Sequence, residues 1–400
     1  MSDNKDSLTF ARLISPVGVE EFFQTHWEQS PLHLSRDVTG FYDDTLSVGD
    51  IDRYFQTQHI SPHFLGVLKD GEYCPPDQWT EVLHSVRNNA SERIVDIKKL
   101  LGLFNSGATL IINAAEAAIP SLTGCCRELE REWECHVQAN IYITPSQGQG
   151  FAPHFDAHNV FILQIHGSKT WSLFDVPFPS PVQTTPVADN YKQREPTKTL
   201  ELQSGDLLYI PRGTVHSARA GKGPSIHVTV GTMVRHWSTL LRLLANTADK
   251  NASFRSLLPH GLSGESEHAS FNAAFRQQLQ ELIAQTDFLK IHNDHFAEKQ
   301  RADIRGLFSD LLQAGRLTPD SVVCRRPSLR YSVERNDQWL IIRFAGEEIV
   351  LPLFLESSML KMLGATPFKV REIEGNHSDV AKLEMVKRFI GAGFLTIIST

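Results

Sequence analysis

Between Cys135 and Val234 the hydrophobic pattern takes the period of β-strands, and glycine or proline interrupts it repeatedly. "CHVQANIYITP" is rich in alternating and β-branched residues and stops at Pro145. "NVFILQIHGSKTWSLF" reads as two strands around a turn at His166, Gly167 and Ser168. "GDLLYIPRGTVHSARA" reads as a strand, a tight turn at Pro211, Arg212 and Gly213, and a second strand, and "SIHVTVGTMV" adds one more. Many short strands parted by Gly/Pro turns must close on themselves or pair as two sheets, so a barrel or double-sheet jelly roll is expected.

The flanks obey a different period. "SPVGVEEFFQTHWEQSPLHL" places Val19, Phe22, Phe23 and Trp27 at helical spacing, closed by Pro31. "SVGDIDRYF" predicts a short helix capped by Ser47 or Asp50. "ASERIVDIKKLLGLF" predicts another, with Ile94, Ile97, Leu100 and Leu101 on one face. Beyond Arg235, "HWSTLLRLLANTA" and "SFNAAFRQQLQELIAQTDFLKIHNDHF" give two or three amphipathic helices whose apolar faces need covering. The last hundred residues read as an α+β unit. It has a hairpin turning at Ala345 and Gly346, two helices in "ESSMLKMLGA" and "SDVAKLEMVKRFIGAGF", and a final strand, a content that fits a winged helix. The expected organisation is α+β in three parts: 1–235, a double-stranded β-helix (jelly roll) with an N-terminal helical segment; 236–300, helical; and 301–400, winged-helix-like.

Bulk charge narrows the partners. The formal net charge of −7 gives no electrostatic reason to expect nucleic acid. From Arg301 on, 14 Lys/Arg stand against 12 Asp/Glu, so a docking role is expected for that unit before DNA binding. No apolar run approaches the roughly 20 residues that span a bilayer. "MSDNKDSLTF" lacks the apolar core of a secretory signal. The five cysteines, Cys74, Cys125, Cys126, Cys135 and Cys324, include no CxxC pair and read as reduced thiols. A cytoplasmic protein without a membrane partner is expected.

The chemistry concentrates in "APHFDAHNVFILQIHGSKTW". In a strand, His154 and Asp156 project to one face. About sixty residues later His216 follows the Pro211–Gly213 turn. If the two strands are neighbours, two imidazoles and one carboxylate meet, which is the facial set that binds iron(II) and leaves positions open. Lys169 shares a strand face with Trp171 and Leu173. If that face looks inward, its ammonium needs a partner, and no acidic residue stands at an obvious cross-strand position. A bound dicarboxylate would satisfy it; a metal triad with an internal cation fits 2-oxoglutarate. A solvent-facing edge lysine is the other reading.

At these residues the chain resembles the JmjC-type cupin oxygenases, and most of all the ribosomal oxygenases. "NIYITPSQGQGFAPHFDAHNVFILQIHGSKTW" and "SGDLLYIPRGTVH" carry the resemblance: HxD, a basic residue fifteen positions after the first histidine, then GDxLYxPxGxxH. It implies an Fe(II)- and 2-oxoglutarate-dependent hydroxylase that uses O2 on a histidine or arginine of a ribosomal protein. His154, Asp156 and His216 would bind Fe(II), and Lys169 would take the distal carboxylate of 2-oxoglutarate. Asn140, Tyr142 and Thr229 fall where the family contacts its co-substrate. Asn140 and Tyr142 share a face by period two, though either also reads as a core-edge residue bonded to backbone. The helices after Arg235 resemble the part through which these oxygenases form homodimers. A tailoring oxygenase on a peptide or natural product, and a non-catalytic metal-binding adaptor, are the alternative readings.

Around this set, His227 lies two places before Thr229 and is a weaker candidate for the interior. His158 and His166 flank the core strand, and His166, at a turn, reads as solvated. Gln164 reads as structural, Cys125 and Cys126 as helix filler, and Arg212 as facing the mouth of the site.

Overall fold

The computed structural model describes residues 8–36, 38–56, 60–84, 91–182, 194–260, 265–300, 305–327 and 329–399. Residues 183–193, half of the proline-rich segment between Phe174 and Thr197, lie outside them. The chain divides into two compact units, Met1–Val234 and Arg235–Thr400. No helix among the described residues is long and apolar enough to cross a membrane.

The described residues of the first unit form thirteen strands. They are β1 (Leu32–Leu34), β2 (Leu65–Lys69), β3 (Glu72–Tyr73), β4 (Thr80–His84), β5 (Ser91–Val95), β6 (Thr109–Ile112) and β7 (His136–Thr144). Then follow β8 (Asn159–His166), β9 (Lys169–Leu173), β10 (Lys198–Leu202), β11 (Leu207–Ile210), β12 (His216–Ala220) and β13 (Ser225–Met233). A major antiparallel sheet runs β1-β11-β8-β13-β7-β6-β2-β3, and a minor sheet runs β10-β9-β12. Strand β8 explains why "NVFILQI" does not alternate: both of its faces are covered. Phe161 and Leu163 join a core shared with the N-terminal helices, while Val160 and Ile162 pack on Trp171, Leu173 and Leu202 of the minor sheet. The helical side is closed by the helix Pro120–Trp133, whose Leu122, Cys125, Cys126 and Leu129 are buried there, with Trp133 stacked on Phe161 at 4.9 Å.

Neither expected strand–turn–strand is a hairpin. Between β8 and β9, and again between β11 and β12, the chain crosses from the major to the minor sheet. The first crossing turns at Gly167, which has φ +64°, and a Cβ there would meet the Pro224 carbonyl oxygen at 2.1 Å. Two helical expectations need correction. The helix begun at Val19 ends at Thr25, short of Pro31, and Trp27 packs on Tyr209 from beyond it. Ser91–Val95 is a strand paired with Thr80–His84, because the Asp96 carboxylate accepts from the Lys98 and Lys99 N–H groups and starts the helix only at Ile97. The stripe Ile94, Ile97, Leu100, Leu101 is thereby split, leaving Ile97 and Leu101 exposed.

The second unit starts with three helices, Trp237–Ala248, Glu265–Gln285 and Phe288–Lys299. On the first two, Leu244 and Leu282 are the only buried residues among those described, while Trp237, Leu241 and Phe275 are exposed, as are Leu257 and Leu258 between them. The hairpin Trp339–Phe344 and Glu347–Pro352 turns at Ala345 and Gly346, both at positive φ, as a tight two-residue hairpin turn demands. Helices Glu356–Leu363 and Asp379–Gly391 follow, and Leu395–Ser399 ends the chain in a second three-stranded sheet. Phe344, Phe389 and Phe394 lie in this unit's own core.

Candidate active site

The centre of the site is made by backbone pairing. His154 and His216 exchange both main-chain hydrogen bonds, His154 N–H to His216 C=O at 3.1 Å and His216 N–H to His154 C=O at 2.8 Å. Their rings stand 4.5 Å apart. His154 and Asp156 are not in a regular strand, as strand periodicity would have them. They lie in the approach to β8, where Pro153 offers no N–H to a ladder and the Gly213 N–H takes the Asp156 carbonyl at 2.9 Å. The Pro211–Gly213 turn thus holds the acid against the second histidine.

Both histidines are held the same way. His154 Nδ1 lies 2.9 Å from the Ala152 carbonyl, and His216 Nδ1 lies 3.0 Å from the Thr214 carbonyl. A carbonyl accepts only, so each Nδ1 carries the proton and each Nε2 keeps a lone pair for the centre. His216 Nε2 is 3.6 Å from the Asp156 carboxylate, and one ligand atom from each of the three residues lies within 4.8 Å of the others. Burial, reinforced by His154, pushes the His216 imidazole down to about 4, so it is neutral at physiological pH and ready to ligate. Two imidazoles, each with Nδ1 bonded to a backbone carbonyl, and one carboxylate match the chemistry of a divalent iron site.

A cavity of about 260 Å³ opens beside the triad, lined by all seven residues singled out in the sequence: His154, Asp156, His216, Lys169, Asn140, Tyr142 and Thr229. Strand register explains this. On β13, Thr229 pairs with Asn140 and His227 with Tyr142, so these four face the same side of the major sheet. Lys169 reaches in from β9 and is 1% exposed, which excludes the edge-lysine alternative. Its Nζ donates to Thr144 Oγ1 at 2.9 Å, its cross-strand neighbours are Leu202 and Ala220, and burial pulls its pKa down to about 7. Asn140 is partly used internally: its Oδ1 accepts from the Ala114 N–H at 3.0 Å. Burial raises the Tyr142 phenol above its ordinary value.

Other residues complete the picture. His227 is buried in the cavity wall, its ring stacked on Tyr142 at 4.7 Å and edge-on to Trp171 at 5.4 Å. Thr144 was legible only as the next same-face residue after Tyr142. Tyr73, Phe151 and Asn113 also line the cavity, and nothing in their local pattern marks them. Arg212 does not face the mouth: it pairs with Glu28 at 2.6 Å and donates to the Pro181 carbonyl. Gln164 binds the His166 carbonyl and the Ser225 hydroxyl and is structural, and His166 is exposed.

Comparison with known proteins agrees with this geometry. Residues 117–240 match the JmjC domain family. A bifunctional lysine-specific demethylase and histidyl-hydroxylase NO66 of Drosophila grimshawi is 29% identical over 271 residues, covering 62% of this chain but 34% of that protein. The Dictyostelium discoideum NO66 is 29% identical over 271 residues, covering 62% of this chain and 48% of its own length. This chain therefore spans less than half of either relative. Among solved structures, the ribosomal oxygenase YcfD of Escherichia coli superposes with a TM-score of 0.56 at 18% identity, over 95% of this chain and 98% of that one. YcfD in complex with cobalt and 2-oxoglutarate superposes with a TM-score of 0.55 at 17% identity, over 96% of this chain and 99% of that one. The chain carries a JmjC cupin domain set within the fold of the ribosomal oxygenases.

Proposed function

We propose that the protein is an Fe(II)- and 2-oxoglutarate-dependent oxygenase that hydroxylates a histidine or arginine side chain of a protein, a ribosomal protein being the expected substrate. The observation that carries this reading is the pairing of two features in one cavity. One is a triad whose histidines both have Nδ1 tied to backbone; the other is a buried lysine with a hydroxyl but, among the described residues, no carboxylate beside it. His154, Asp156 and His216 would hold the metal, a set of ligands that leaves coordination positions for co-substrate and O2. Lys169 and Thr144 receive the far carboxylate of 2-oxoglutarate, and Asn140, Tyr142 and Thr229 line its path. Iron with 2-oxoglutarate supplies the oxidising equivalents, one oxygen atom of O2 entering the substrate and the other the succinate formed with carbon dioxide. The chain's own share is to fix the ligand lone pairs, neutralise the dicarboxylate and shield the centre behind Trp171 and Phe151.

The reading extends to a cytoplasmic homodimer that meets its partner through the exposed apolar residues of the helices after Arg235. It also keeps the three-part division at 235 and 300, with the last part docking rather than binding nucleic acid. The test is intact-mass spectrometry of the host's ribosomal proteins in wild-type and His154→Ala strains. One ribosomal protein lighter by a single oxygen atom in the variant supports the proposal. A methyl group retained instead would assign demethylation, and no difference in any ribosomal protein would overturn the ribosomal substrate.

A further inference from the structure

Lys169 has only the Thr144 hydroxyl as an acceptor among the described residues, and it is not alone in being short of one. His227 is 2% exposed and its Nδ1 is buried without a hydrogen-bond partner. Trp171 is 5% exposed, and its indole Nε1, which only donates, is likewise unpartnered. Both residues line the cavity beside the triad. They also stand in sequence along it. The Trp171 ring lies 6.0 Å from that of His216 and 5.4 Å from that of His227, and His227 in turn feels the charge of Lys169. The cavity therefore runs from the triad, past Trp171, to an end where imidazole and ammonium come together. Buried polar atoms are satisfied in the great majority of cases, so an orphan nitrogen beside an under-satisfied ammonium marks the place of a missing acceptor.

We propose that His227 is a second anchor for the acid end of the co-substrate, sharing with Lys169 a carboxylate that neither holds alone. This rests on the oxygenase reading and adds to it a specificity-determining residue. A carboxylate has two oxygens and accepts from more than one donor. Lys169, already bonded to Thr144, supplies charge from β9 on the minor sheet. His227 supplies a directed N–H from β13 on the major sheet. The imidazole must be neutral to stand beside the ammonium, and burial together with Lys169 holds it far below its ordinary pKa. Stacking on Tyr142 with the rings 2° from parallel fixes the direction of that N–H. A ligand with a carboxylate at its far end satisfies both sheets at once. A 2-oxo acid ending in a methyl group leaves the His227 N–H buried and unpaired and Lys169 with the Thr144 hydroxyl alone, and a site built to hydrogen-bond a group discriminates strongly against a ligand that lacks it.

The experiment is calorimetry on the full chain loaded with Mn(II) without oxygen, titrated with 2-oxoglutarate and with 2-oxobutanoate, which lacks the distal carboxylate. His227→Phe keeps an aromatic ring against Tyr142 and removes both nitrogens. It should weaken 2-oxoglutarate about 10- to 100-fold and leave 2-oxobutanoate unchanged. His227→Gln, which restores an N–H, should recover part of the loss and is the second variant should the first not fold. Equal weakening of both acids would show a packing role and overturn the proposal, as would unchanged 2-oxoglutarate affinity in His227→Phe. A wild-type chain that binds Mn(II) but neither acid overturns the co-substrate reading itself, and this proposal with it.

Discussion

Replacing Lys169 by methionine separates what the residue does for folding from what it does for binding. The ammonium is buried beside one hydroxyl, and its pKa falls from 10.5 to about 7. That drop corresponds to about 5 kcal/mol of penalty on the charged form in the ligand-free fold. The folded pKa lies below the unfolded one, so the penalty is complete below about pH 7. It is relieved as pH rises from 7 to 10.5, where the unfolded chain binds the extra proton. Methionine fills a similar volume and carries no charge, so K169M without ligand should melt at or above the wild-type temperature near pH 6.5, and the gap should close toward pH 10. Binding goes the other way. A dicarboxylate left without its cation in a buried site costs about 3–5 kcal/mol, or roughly 10²- to 10⁴-fold in affinity. Thermal melts across pH, paired with the KM for 2-oxoglutarate, read both effects on one variant. A KM within threefold of wild type would refute the carboxylate role. A large loss of stability at pH 6.5 would refute the argument that the lysine is kept at the expense of the fold.

Two further expectations follow from the same structure. Because the free lysine is largely neutral above about pH 7 and a carboxylate beside it restores the charge, 2-oxoglutarate binding near pH 8 should take up close to one proton. Below pH 7 the uptake should vanish; calorimetry in two buffers of different ionisation enthalpy measures it, and pH-independent uptake would contradict the assignment. Leu241 and Leu257 are 65% and 91% exposed in the second unit, so the double change Leu241→Glu, Leu257→Glu should turn a dimer into a monomer by light scattering at micromolar concentration, whereas a monomeric wild type would contradict the dimer outright.

The site was readable in the sequence to the extent that its geometry is local. Asn140 and Tyr142, or His227 and Thr229, share a face because a strand repeats every two residues, and that repeat needs no knowledge of the fold. The Ala345–Gly346 turn was readable for the same reason, since only a few residues tolerate the backbone such a turn imposes. What could not be read depends on which strands become neighbours. Sequence shows a turn between β8 and β9 but not that the turn carries the chain to another sheet. Lys169 consequently looks like one of a hairpin pair until the minor sheet sets it opposite Thr144. Arg212 fails as a mouth residue because its partner, Glu28, lies 184 positions away. Even the triad was expected for an imperfect reason. His154 and Asp156 meet His216 through an isolated backbone bridge and a proline-interrupted approach, not through strand alternation. That difference matters for function: a ligand pair outside the ladder leaves its side chains and several backbone groups free to be set by the Gly213 turn and by the Ala152 and Thr214 carbonyls. The three side chains are therefore placed by the approach to β8, the Pro211–Gly213 turn and the first residue of β12, so loop sequence can tune the triad while Lys169 and His227 stay fixed on strands.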